Sequence, residues 1–253
     1  MGYVESAPPD GLRDAVACLW RSTVTGERTG DAMPILPDGC VDLIWQSGRG
    51  AFLAGPDTGP VADTGPVTNA GPGGRHVVVG VRLRAGAGGT VLGMPLTPLQ
   101  NLRPDLADLG LRAELPGELA PGEALRRLVT LTGRLVEERP ADQVMLAAAR
   151  LLRDPGLRVP ELGDRLGVSD RQLRRRFGAA VGYGPKTLQR VYRFRRFLSM
   201  AGQGSLAELA VRAGYTDQAH LTRETAEFAG MTPGELVRRR RPGREPAAPP
   251  GPG

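Results

Sequence analysis

Three arginines, Arg171, Arg174 and Arg175, are the side chains best spaced for chemistry in this chain. On a helical wheel with Leu173 at 0°, Phe177 falls at about 40°, Arg174 at about 100°, Arg171 at about 160° and Arg175 at about 200°. Leu173 and Phe177 then share a buried side, and three guanidinium groups project from the opposite one. A guanidinium is a planar fork of donors that matches phosphate oxygens and the O6/N7 edge of guanine. The plainer reading is a solvated face, and one such helix does not decide between the two.

Other reactive side chains offer less. Asp38 and Asp42 flank Cys40 and could line a site, but Pro37-Asp38-Gly39 reads as a turn, Cys40 as a small buried apolar residue and Asp42 as a surface strand residue. Trp20, Trp45 and Phe52 could form an apolar pocket, although core packing is the simpler use of them. Arg82 and Arg84 alternate along a strand and could bind an anionic ligand, although a solvated position is the simpler expectation. His76 has no second histidine beside it, so no metal site is read there. The Gly runs at 71–74 and 86–89 lack the strand and helix spacing of a nucleotide fingerprint. Cys18 and Cys40 are the only cysteines, too few for a four-cysteine zinc centre or for a repair enzyme built on one. No catalytic set and no cofactor emerges.

The arginines belong to a repeated pattern. Pro160, Leu162, Leu166 and Gly167 read as a short helix that ends on glycine. Ser169 and Gln172 then form a capping box that opens the helix carrying the arginines. Helix, tight turn and second capped helix make a helix-turn-helix. The pattern recurs. Ser205 and Glu208 cap a helix with Leu206, Leu209, Ala210 and Ala213 on one stripe, Gly214 closes it, and Asp217 caps a helix over 218–229. The two N-caps, Ser169 and Asp217, lie 48 residues apart. A long helix over 185–200 joins the units, and Thr232 with Glu235 caps a last one. A rigid connector can hold two such helices about one DNA turn, ~34 Å, apart.

Composition divides the chain in the same place. It has 253 residues and a net charge of +6. Residues 1–140 carry 13 basic and 16 acidic side chains, and residues 141–253 carry 20 and 11. The basic excess therefore lies entirely in the second half and points to a polyanion partner. The first half reads as mixed: a helix-like start near residue 10, strands over 41–45 and 77–83, and helix-like stretches over 98–110 and 122–138. The expected fold is α+β: a β-rich mixed domain over 1–139, an all-α domain with two helix-turn-helix units over 140–241, and a disordered Gly-Pro tail over 242–253. The N-terminus matches a loose myristoylation pattern at Gly2 and Ser6 but lacks the features of a signal peptide, and no apolar run spans a membrane. A soluble cytoplasmic protein with reduced thiols is expected.

At this point the residues resemble the DNA-binding domain of the AraC/XylS family of bacterial transcription regulators. The likeness rests on Ala210, Gly214-Tyr215, Asp217-Gln218, Leu221, Arg223 and Gly230-Met231-Thr232-Pro233, with Gly167, Ser169, Leu173, Phe177, Gly182 and Pro185 in the first unit. It implies that Arg171, Arg174 and Arg175 meet bases from the first reading helix, and that Gln218, Ala219, His220, Thr222 and Arg223 meet DNA from the second. Thr225 departs from the family's bulky aromatic and implies looser packing or weaker engagement by the second unit. Residues 35–45, Gly55-Pro56 and 79–83 resemble an uncharacterised N-terminal domain carried by some members. The implied partners are double-stranded DNA and RNA polymerase, in an activating role and associated with the nucleoid. The first half is expected to sense a small-molecule effector, to form a homodimer or to serve as a protein-interaction module.

Overall fold

A computed structural model of the chain describes residues 2–25, 33–61 and 75–240. The Gly-Pro tail and the Gly run at 71–74 lie outside the described residues. The architecture is α+β, a five-stranded antiparallel sheet followed by a helical half. The strands are β1 (Gly2–Ser6), β2 (Val16–Thr25), β3 (Val41–Gln46), β4 (Gly50–Ala54) and β5 (Arg75–Leu83), in the spatial order β1-β2-β5-β3-β4.

Two expectations for the first half do not hold. The helix-like start near residue 10 is one 3-10 turn, Asp10–Leu12, after which ten residues run extended as β2. Val16 is buried in the main core, and a register irregularity between Val16 and Cys18 then turns Trp20 onto the opposite sheet face. Residues 98–110 are not a helix either. After a 3-10 turn at Thr97–Leu99, the chain runs beside β4 and closes its outer edge. The Leu53 and Gly55 N–H groups donate to the Pro104 and Leu102 carbonyls, and the Leu106 N–H donates to Ala51. Pro104 lacks an N–H but supplies its carbonyl, so it fits an edge that must be covered rather than a helix.

One sheet face buries Val41, Leu43, Trp45, Val79 and Val81 against α1 (Gly88–Leu92) and α2 (Pro121–Glu138). From α2, Ala124, Leu128, Leu131 and Leu135 enter this core. The other face buries Trp20, Ile44, Phe52 and Ala54. Trp20 lies so close over Gly80 that a Cβ there would come within 2.4 Å of the ring.

The same face corrects the reading of Asp42 and Arg82 as a surface and a solvated residue. The register sets them directly opposite each other on β3 and β5, and both are buried. Arg82 donates from Nε and Nη2 to the two Asp42 oxygens at 3.0 Å each, Trp20 Nε1 donates to Asp42 at 3.2 Å, and Asp38 lies 3.4 Å from Arg82. Both side chains are largely shielded from water, and pairing is the alternative to a desolvated ion. Asp38 also makes the expected turn, accepting from the Cys40 N–H at 2.9 Å. Cys18 and Cys40 are free thiols, and burial pushes the Cys18 thiol up to about 12.

The helical half comprises α3 (Gln143–Leu151), α4 (Glu161–Leu166), α5 (Asp170–Val181), α6 (Pro185–Ser199), α7 (Leu206–Ala213), α8 (Gln218–Ala229) and α9 (Pro233–Arg239). Two cores serve it. One gathers Met145, Leu162, Leu173, Phe177 and Leu188, and the other Phe194, Phe197, Leu209, Leu221 and Phe228. Helix α6 contributes to both. No described helix is long and apolar enough to cross a membrane.

Candidate nucleic-acid interface

The first unit is α4, a turn and α5. Gly167 closes α4 at φ 65°, a left-handed conformation that glycine takes without penalty. Ser169 and Gln172 form the capping box in both directions. Leu173 and Phe177 are buried, while Arg171, Arg174 and Arg175 are all exposed. Arg174 lies 3.9 Å from Asp170, too far for a firm hydrogen bond. Arg176 turns away and donates to Asp142 at 2.7 Å. Asp142 is also the N-cap of α3, so one carboxylate caps α3 and ties it to α5. Sequence reasoning missed this pair because its members are 34 residues apart.

The second unit is α7, a turn and α8. Ser205 and Glu208 form a reciprocal capping box, Gly214 closes α7 at φ 91°, and Asp217 accepts from the His220 N–H at 2.7 Å. Gln218, Ala219 and Arg223 are exposed. The Thr222 hydroxyl donates to the Gln218 carbonyl at 2.9 Å. His220 is half-buried and faces its own helix ends: Nδ1 lies 3.4 Å from the Thr216 hydroxyl, Nε2 lies 3.5 Å from Glu224, and the ring meets Tyr215 edge-on. Thr225 is fully buried, and its hydroxyl finds no hydrogen-bond partner.

Glu224 is the centre of the second unit and was not read from the sequence. It is 4% exposed. Arg190 donates to it at 2.7 Å, and Arg193 donates from two nitrogens at 2.6 and 3.2 Å, both from α6. Arg190 also binds Glu227. Burial alone would push the Glu224 carboxyl up, but the bonds from Arg193 and Arg190 outweigh it and hold the carboxyl below the usual range. The guanidiniums of Arg190 and Arg193 also lie over the Phe228 and Tyr215 rings.

The first half reaches α5 at its C-terminal end. Thr97 donates to the Gly178 carbonyl at 3.0 Å, the Leu96 N–H donates to Ala179 at 2.9 Å, and Gln100 binds the Gly182 carbonyl. A Cβ on Gly89 would come within 2.2 Å of the Ala179 oxygen. A polar cleft of about 510 Å³ lies between the halves, lined by Thr58, Thr97, Gln100, Thr187, Arg190 and Glu227, among others. No group of three or more metal-ligating side chains occurs among the described residues.

Residues 162–239 match a family model described as a helix-turn-helix domain, and residues 4–105 match one described as a domain of unknown function, DUF6597. No curated protein matches the chain. Among solved structures, the chain is similar to ToxT from Vibrio cholerae, with a TM-score of 0.46 and 11% identity over 86% of this chain and 98% of that one. It is also similar to the xylose-binding transcription activator xylR, with a TM-score of 0.36 and 16% identity over 50% of this chain. It spans 40% of that activator's length.

Proposed function

We propose that this chain, whose residues 162–239 match a helix-turn-helix domain, is a DNA-binding transcription regulator of the AraC type that binds a specific double-stranded site through both units, and that its first half reports a signal to them. The units, in a domain spanning 140–241, enter successive major grooves on one DNA face. Arg171, Arg174 and Arg175 meet the first groove, and Gln218, Ala219, Thr222 and Arg223 face the second. His220 supports its own helix rather than DNA, given its contacts with Thr216, Tyr215 and Glu224. The observation that carries this reading is the exposed arginine face of a doubly capped helix inside a repeated unit.

The contacts of residues 96–100 with the end of α5 support a regulatory role for residues 1–139, because a shift there moves a reading helix. A small-molecule effector is the signal the resemblance implies. A protein-interaction or dimerisation role is the alternative, and a panel of metabolites tested by thermal shift on the full chain separates the two. Activation through RNA polymerase is the outcome the resemblance implies.

Gel shifts test the DNA reading. Arg175→Ala is expected to weaken binding to the preferred site by about 1–3 kcal/mol and to relax specificity at one base step. Wild-type affinity is expected to fall steeply with salt as condensed counterions are released. Equal loss on preferred and scrambled sites would remove the base-reading role of Arg175.

A further inference from the structure

We propose that the two units read DNA unequally: the first presents three arginines to guanines, and the second docks with the same geometry but presents a single arginine, Arg223. This rests on the DNA-binding reading above and adds the distribution of specificity within the site.

The argument comes from superposing the units by their own spacing. A shift of 48 residues carries the Ser169 N-cap onto the Asp217 N-cap, buried Leu173 onto buried Leu221, the C-cap Gly182 onto the C-cap Gly230, and Pro185 at the start of α6 onto Pro233 at the start of α9. Both glycines are left-handed, at φ 98° and 67°. The scaffold is thus kept through one helix and both its ends, and the two helices present corresponding positions outward.

What those positions carry differs. Arg171, Arg174 and Arg175 correspond to Ala219, Thr222 and Arg223. Helix α5 holds four arginines and one aspartate, whereas α8 holds one arginine and two glutamates. A bidentate arginine distinguishes guanine through O6 and N7. Alanine can touch only a thymine methyl, and the Thr222 hydroxyl has its proton committed to the Gln218 carbonyl. Arg176, itself bound to Asp142, corresponds to Glu224, which binds α6, and Ala179 corresponds to Glu227, which Arg190 also binds. The two glutamates of α8 bind arginines of α6, whereas three of the four arginines of α5 are left outward. The site recognised is therefore polar in direction: a strong block containing guanines under α5, and a weak block about one helical turn away under α8, with one guanine contact beside thymines.

Selection of bound fragments from a random duplex pool by the full-length chain tests this, followed by titrations on sites with either block scrambled. Scrambling the α5 block is expected to cost about a hundredfold or more in affinity, and scrambling the α8 block about tenfold. Arg223→Ala is expected to abolish the guanine preference in the α8 block and leave the α5 block's preference intact. Two blocks of equal constraint, or a larger loss on scrambling the α8 block, would overturn the proposal while leaving DNA binding standing. A wild-type chain that selects no sequence at low salt would overturn both.

Discussion

At Glu224 one buried carboxylate meets two guanidiniums and an imidazole, and the seating of α8 on α6 depends on it. Its folded carboxyl titrates below the ordinary value. The stability it contributes is therefore complete above the unfolded value, about pH 4.3, and is lost as the pH falls through the lower folded one. Glu224→Gln is expected to cost about 1.5–3 kcal/mol at pH 7. It should also flatten the acid limb, which urea denaturation between pH 3 and 7 would read. An unchanged acid limb would mean that other carboxylates set it. In the sequence, Glu224 is one more charge on an amphipathic helix. Its partners Arg190 and Arg193 lie 34 and 31 residues away. Thr225 was legible as a departure, and the structure adds that the smaller side chain is buried with its hydroxyl unpaired. The arginine face was legible because it depends only on helical period and on which side is apolar.

The helices form where their caps stand. Ser169, Ser205, Asp217 and Thr232 each accept a hydrogen bond from the first turn of the helix they open. Such signals are local, so the second half was readable almost element by element. The first half was not. Residues 98–110 show apolar spacing compatible with a helix, yet their backbone closes the edge of β4, a partner more than 40 residues earlier in the chain. Between the two halves, α1 packs on α5. Because Gly89 stands against the Ala179 carbonyl, Gly89→Ala must push the two helices apart. A loss of about 1–3 kcal/mol is expected, seen as a lower midpoint in thermal denaturation of the full chain. An unchanged midpoint would show that this contact gives way freely.

Across the whole molecule, the halves share side chains. Leu36, from the segment before β3, is buried in the core of the second helix-turn-helix unit with Phe194, Leu221 and Phe228. Gly39 in the adjoining turn stands so close to Leu188 of α6 that a Cβ would come within 2.5 Å of it. A residue of the first half thus belongs to the packing of α8. Leu36→Ala is expected to destabilise by about 2–4 kcal/mol. Hydrogen exchange should show the lost protection in α8 and α9 as well as near residue 36. Loss confined to the first half would contradict this shared core. The sequence by itself determined the helix-turn-helix repeat, its caps, its outward arginines and the basic half, because each follows from neighbours within a turn or two or from plain composition. Only the tertiary structure decided that Asp42 and Arg82 are a buried pair, that Glu224 anchors α8, and that residues 33–40 and 96–100 brace the reading helices. Those facts depend on which distant surfaces meet and exclude water, and no local period records that.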